Sequence, residues 1–261
     1  MKIVVCIKQV PDTTEVKLDP KTGTLIRDGI PSIMNPDDKG GLEYALQLKD
    51  EYGAEVTVIT MGPPQADAVL REAFAMGADR AILLTSRKFA GADTLATSNA
   101  LAGALKVLDF DLVLAGRQAI DGDTAQVGPQ IAEHLGIPQV SYLEDLKFDG
   151  KKTLRIKKQL EDGYQVVEVD TPCLLTCLAS AVKPRYMSVN GIMEAWNKEV
   201  EIWDTDKIDV AEEKLGLKGS PTKVKKAGAK EMKAAGVVKD GLSAEEAAEL
   251  IIEKLKEKFI I

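Results

Sequence analysis

Residues 116–129, GRQAIDGDTAQVGP, gather three glycines, two aspartates and a threonine between an apolar strand at 111–115 and a helix pattern at 126–135. Glycine lets a backbone turn sharply or press against a ligand, and a helix start offers unpaired N–H groups and the positive end of its dipole. A phosphate can dock there without a lysine. Main-chain amides from Asp121 through Gly122, Asp123, Thr124, Ala125, Gln126, Val127 and Gly128, with the Thr124 hydroxyl, suit a diphosphate. The two aspartates repel phosphate and suit capping or ribose hydroxyls instead. Asp123 with Gln126 three residues on reads as a capping box. An ordinary glycine-rich turn, capped and nothing more, fits the same letters.

The elements that position this loop alternate. Strands at 3–7, 56–60, 81–85 and 111–115 are interleaved with amphipathic helices at 37–51, 64–76, 94–107 and 124–135. Near-continuous Val, Ile and Leu means strands buried on both faces, so the expected fold is α/β: a doubly wound, mostly parallel sheet with helices on both faces. Ligands gather outside the carboxyl ends of such strands. Those ends read CIKQVPD (6–12), TMGPP (60–64), TSRKFAGADTLAT (85–97) and AGRQAIDGDT (115–124), a rim of small and polar residues. Residues 13–36 suggest a small hairpin, with strands at 15–18 and 24–27. Beyond 141 the alternation at 146–148, 153–158 and 165–169 predicts antiparallel hairpins, after which 173–179 rejoins the sheet. Residues 216–230 read as an extended arm, and Ser243 with Glu246 opens a final helix over 244–259. The expected division is a nucleotide-binding domain at 1–200 and, at 201–261, an arm and helix lying on a partner subunit.

Composition narrows the function classes. The formal charge of −7 over 261 residues argues against nucleic acid, which is bound mainly through excess Lys and Arg. Apolar runs stop short of bilayer length, and MKIVVCIKQV is too short for a signal peptide, so a cytoplasmic protein without membrane insertion is expected. Three cysteines without a CxxC pair and one histidine, His134, leave little for a metal site or disulfide framework. His134, near a helix end, is expected to face the helix dipole. The chain has no GxxxxGK[ST] loop, which removes the commonest nucleotide-hydrolysing reading.

The loop at 116–129 resembles the adenine-nucleotide segment of the electron transfer flavoprotein β subunit, in which GRQ or GKQ is followed by AID and a Gln before Gly. Residues 156–176, IKKQLEDGYQVVEVDTPCLLT, resemble that subunit's signature. Lys183-Pro184-Arg185-Tyr186 with Gly191-Ile192-Met193 is similar to its partner-docking loop. With KQVPD at 8–12 and MNPDD at 34–38, the resemblance spans nearly the whole chain. It implies nucleotide contacts at Cys6, Asn35, Pro36, Met61 and 121–132, with Asn35 reading the adenine edge; Cys6 and Met61 fit core packing equally well. GDTAQVGP and GADTLAT (91–97) are similar to the branch that binds FAD, oxidises NADH and bifurcates electrons. The alternative is a branch that carries structural AMP. In the first branch Asp93, Thr94 and Thr97 belong to the cofactor site, the hydroxyls meeting the flavin ring or ribityl chain; Asp93 or Thr94 as a simple helix cap fits the same spacing. Arg117 either neutralises phosphate charge or is a solvated surface residue. The implied partners are an α subunit, an acyl-CoA dehydrogenase or related flavoenzyme docking at 181–193, and ferredoxin or flavodoxin. A pure assembly subunit is a third reading. Where relatives have an aromatic after MNP this chain has Asp37 and Asp38, read only as the start of a helix.

Overall fold

The computed structural model describes residues 1–12, 31–222, 236 and 238–260. The hairpin expected at 15–18 and 24–27, and residues 223–230 of the expected arm, lie outside them. The first compact unit is Met1–Ala227 and the second Gly228–Ile261.

In chain order the first unit holds β1 (Lys2–Cys6), β2 (Gln9–Pro11), β3 (Ser32–Met34), α1 (Pro36–Tyr52), β4 (Glu55–Met61), α2 (Asp67–Met76), β5 (Arg80–Leu84), α3 (Thr94–Leu105) and β6 (Leu112–Gly116). Then follow α4 (Val127–Leu135), β7 (Gln139–Phe148), β8 (Thr153–Leu160), β9 (Gly163–Asp170), β10 (Cys173–Cys177), α5 (Val189–Ala195) and β11 (Val200–Trp203). Nine strands form one sheet in the order β11-β5-β4-β1-β6-β10-β7-β8-β9, and β2 pairs antiparallel with β3. The sheet is parallel from β11 to β7 and antiparallel from β7 to β9. The α/β, mostly parallel architecture is as the apolar runs require. Two short runs read separately in the sequence, 139–141 and 146–148, are one long strand β7.

Alternate strand residues serve opposite layers. Ile3, Val5, Val58, Leu83 and Leu114 pack with α1 and α2, whereas Val4, Cys6, Ile59, Ile82, Leu84 and Ala115 pack with α3 and α4. The chain runs outward from β1 through β4 to β5, then returns across β1 to β6. That reversal opens a crevice at the carboxyl ends of β1 and β6, the usual ligand position in such sheets.

Residues 208–222, of which 216–222 belong to the expected extended arm, pack on the α3 side of the first unit: Ile208, Leu215 and Ser220 are buried. Enough apolar surface sits between the charged residues for this stretch to pack. It comes so close to α3 that a Cβ on Gly103 would stand 2.9 Å from the Val210 side chain, and Asp209 N donates to Gly103 O at 2.9 Å. In the second unit, α6 (Ala244–Glu257) carries the expected capping box: Ser243 Oγ accepts from Glu246 N, and Glu246 Oε2 from Ser243 N.

Gly103→Ala should destabilise the first unit by about 1–3 kcal/mol through overpacking. Thermal unfolding of the variant checks this, and an unchanged midpoint would show that 208–210 yields freely.

Candidate functional site

The rim is organised from the first turn of α1. Asp38 is buried; its Oδ2 accepts from Lys8 N at 2.8 Å and its Oδ1 from Gly116 N at 2.8 Å. Asp37 Oδ1 accepts from Ala179 N at 2.8 Å. Two adjacent carboxylates thus join the chain beyond the carboxyl ends of β1, β6 and β10. Gly116 has no alternative, since a Cβ there would lie 2.2 Å from Asp38 Oδ1. Burial pushes the Asp38 carboxyl up to about 7, against the bonds from Asn35, Lys8 and Gly116 that favour its ionised form. Arg117 Nε lies 3.4 Å from Asp37 Oδ2, near enough for charge attraction but without hydrogen-bond alignment, and its guanidinium sits 6.0 Å over the Tyr142 ring. Arg117 is therefore a half-buried part of the rim, not a solvated side chain.

Asn35 is fully buried, and its amide is spent on the loop after β6. Its Nδ2 donates to Gln118 O at 2.8 Å, and its Oδ1 accepts from Ile120 N at 3.1 Å. It shapes the loop. Lys8 Nζ pairs with Asp121 Oδ1 at 2.6 Å, and Gln118 Nε2 donates to Asp123 Oδ1 at 2.7 Å. Both loop carboxylates are thereby occupied by neighbours, which lowers the repulsion they would exert on an anion.

The capping box expected from Asp123 does not form. Asp123 (φ 50°) and Ala125 (φ 52°) occupy the left-handed region, and the N-cap of α4 is Gln126, which makes no side-chain cap bond. The physical reason is the loop's bonding: Asp123 faces Gln118, and the strained turn carries the chain beyond capping position. Left-handed Ala125 followed by right-handed Gln126 turns successive N–H groups to one side, a backbone arrangement that attracts anions. Gly128 lets α4 press on β10, where a Cβ would meet Thr176 Cγ2 at 2.6 Å.

Across the crevice, Asp93 caps α3 by accepting from Ala96 N at 3.0 Å. Thr94 Oγ1 donates to Gln126 Oε1 at 2.9 Å, joining the starts of α3 and α4. Thr97 stands one turn on, half-buried. Cys6 and Met61 end β1 and β4 toward this same layer; burial pushes the Cys6 thiol up to about 12, so it stays neutral. Pro36 opens α1 on the other face. Cys6, Met61 and Val127 share the α3–α4 layer, Thr94 joins α3 to Gln126 at the start of α4, and Asn35 bonds the loop after β6. His134, in the last turn of α4, lies 3.1 Å from Ser98 Oγ, and burial with Lys106 and Lys214 holds its pKa below the usual value. Among the described residues there is no cluster able to hold a metal ion, and no helix is long and apolar enough to cross a membrane.

Sequence reasoning missed Lys8, Gln118 and the joint role of Asp37 and Asp38. The available signal was the DD pair directly after MNP.

A family model described as the electron transfer flavoprotein domain matches residues 22–208. The chain belongs to the electron transfer flavoprotein family. It is 63% identical over 261 residues to the electron transfer flavoprotein subunit beta of Clostridium acetobutylicum, covering 100% of both chains. It is 56% identical over 263 residues to CarD, a subunit of the caffeyl-CoA reductase-Etf complex of Acetobacterium woodii, again with 100% of both chains covered. To the acryloyl-CoA reductase electron transfer subunit gamma of Anaerotignum propionicum it is 48% identical over 270 residues, with 100% coverage of both.

Residues 183–193, which resemble a docking loop, are anchored at their start and exposed beyond it. Arg185 grips buried Glu43 through its backbone N–H and its guanidinium, at 2.9–3.1 Å, and reaches Asp50 at 2.8 Å. Beyond that anchor Tyr186, Val189, Met193 and Trp196 are 87%, 78%, 69% and 71% exposed.

The raised pKa of Asp38 means that the folded state holds this proton more tightly than the unfolded chain. Its contribution to stability is therefore fullest below the ordinary carboxyl value of 3.8 and is lost as pH climbs toward 7. Asp38→Asn should be less stable by about 1–3 kcal/mol, because its NH2 faces a backbone donor. It should also lose this part of the pH slope between about pH 4 and 7 in thermal unfolding. Equal slopes in both proteins would contradict the titration.

Proposed function

We propose that the chain is the FAD-binding β subunit of a heterodimeric electron transfer flavoprotein. FAD bound here supplies hydride-accepting chemistry toward NADH, passing one electron to ferredoxin or flavodoxin and the other, through the α subunit's FAD, to an acyl-CoA dehydrogenase or related flavoenzyme. The observation that carries this reading is the start of α4, which has no side-chain cap and follows left-handed Ala125 directly across from Thr94 and Thr97. The residues fit a dinucleotide. Backbone N–H groups of 125–128 hold the diphosphate, favoured by the helix dipole. Cys6 and Met61 give the adenosine half a soft, neutral floor. Thr94 and Thr97 orient the other half, and water is excluded on the sheet side by Ala115 and Ala96, both buried.

The relatives' names support a role beside acyl-CoA-type reductases, one being a caffeyl-CoA reductase-Etf subunit and another an acryloyl-CoA reductase electron transfer subunit. The outward-facing residues 186–196 supply the docking surface for such a flavoenzyme. Helix α6, with Ile251 and Ile252 exposed, is assigned to contact with the α subunit.

Co-expressed with its α partner, the heterodimer should contain two FAD and bleach in the visible on anaerobic NADH titration; one FAD with one AMP would overturn the reading. Thr94→Ala with Thr97→Ala should weaken FAD retention in this subunit about 10-fold, the loss of two ordinary hydrogen bonds, and slow NADH oxidation. Met193→Ser with Val189→Ser should leave flavin content unchanged while lowering the rate of electron delivery to the acceptor flavoenzyme at least several-fold. An unchanged rate would move the docking surface elsewhere.

A further inference from the structure

Asp93 is held from two directions by residues far along the chain. While its Oδ1 caps α3 at Ala96 N, its Oδ2 accepts from Thr222 N at 3.1 Å and from Thr222 Oγ1 at 2.8 Å. Its own backbone N–H donates to Ser220 Oγ at 2.9 Å, and that hydroxyl donates to Gly216 O at 2.8 Å. Further back, Leu217 N donates to Ala90 O at 3.1 Å, and the Leu217 side chain lies 3.4 Å from where a Cβ on Gly91 would stand. Gly216 adopts φ +53° and approaches so closely that a Cβ would fall 2.1 Å from Lys88 O. Residues 215–222 form a strap laid over the loop from β5 to α3.

We propose that Ser220 and Thr222 are positioning residues of the cofactor site, setting through Asp93 where the first turn of α3 presents Thr94 and Thr97. The inference rests on the reading above that this turn meets the flavin half of the dinucleotide. The two oxygens of one carboxylate are divided between helix and strap, so the helix start cannot shift without breaking bonds to Thr222. Thr94 in turn bonds Gln126 at the start of α4, so the strap's hold extends across the crevice. Burial pushes the Asp93 carboxyl up, yet the bonds from Ala96, Thr222 and Leu95 outweigh it and leave its pKa below the usual value. The carboxylate is therefore ionised, and both oxygens can accept, at neutral pH.

The test uses the complete heterodimer co-expressed with the α partner and FAD as the probe. Ser220→Ala and Thr222→Val should each weaken FAD retention in this subunit about 5- to 10-fold and shift the visible band of the bound flavin. Thr222→Ser, which keeps the hydroxyl, should restore both. Thr222 is exposed, so its variants leave the core intact. If the Thr94→Ala, Thr97→Ala pair lowers FAD binding while Ser220→Ala and Thr222→Val change only the melting temperature, the strap is merely structural and this proposal falls alone. If the threonine pair leaves the flavin unaltered, the cofactor reading falls and takes this proposal with it.

Discussion

Everything at the functional rim depends on two adjacent carboxylates meeting three backbone N–H groups. In a parallel sheet the chain leaves each strand at the carboxyl end with donors that no neighbouring strand can satisfy, and leaving them buried and unpaired is costly. Asp37 and Asp38 answer this for the segments beyond β1, β6 and β10 at once. The same charges sit in the first turn of α1, where they neutralise that helix's own dipole. α3 is capped by Asp93, whereas α1 and α4 both begin without a side-chain cap on this rim.

The loop from β6 to α4 then follows from its anchors. Asn35 holds the main chain at Gln118 and Ile120, Lys8 holds Asp121, and Gln118 holds Asp123, so the loop's two carboxylates and part of its backbone are tied down. Asp123 and Ala125 are held in a left-handed conformation that non-glycine residues adopt only under restraint. Backbone preorganised in this way holds an anion with little ordering cost at the moment of binding.

Much of this was legible in the letters. The apolar strand runs and the rim of Gly, Pro and polar residues at their ends fix a doubly wound sheet, because a strand without alternation must be covered on both faces. Capping at Ser243 was legible because both partners are local. Asp123 misled because its spacing to Gln126 satisfies a local rule, while a longer-range bond to Gln118 and a left-handed backbone decide otherwise. The bonds from Asn35 to Gln118 and Ile120 were not legible, since only three dimensions reveal which loop its amide reaches. The strap at 215–222 was hidden for the opposite reason: its two glycines and one lysine read as part of an extended arm, and the buried Ser220 carries no periodic signal.

Gly116 and Asp38 are separated by 78 positions yet occupy one another's space. A carboxylate reaching the β6 amide demands a bare α-carbon, and a bare α-carbon without that carboxylate leaves a hole and a stranded donor. Neither can drift singly, so divergence within this fold must pass through simultaneous change at both places. Any redesign of the rim for a different ligand has to treat them as one unit of heredity.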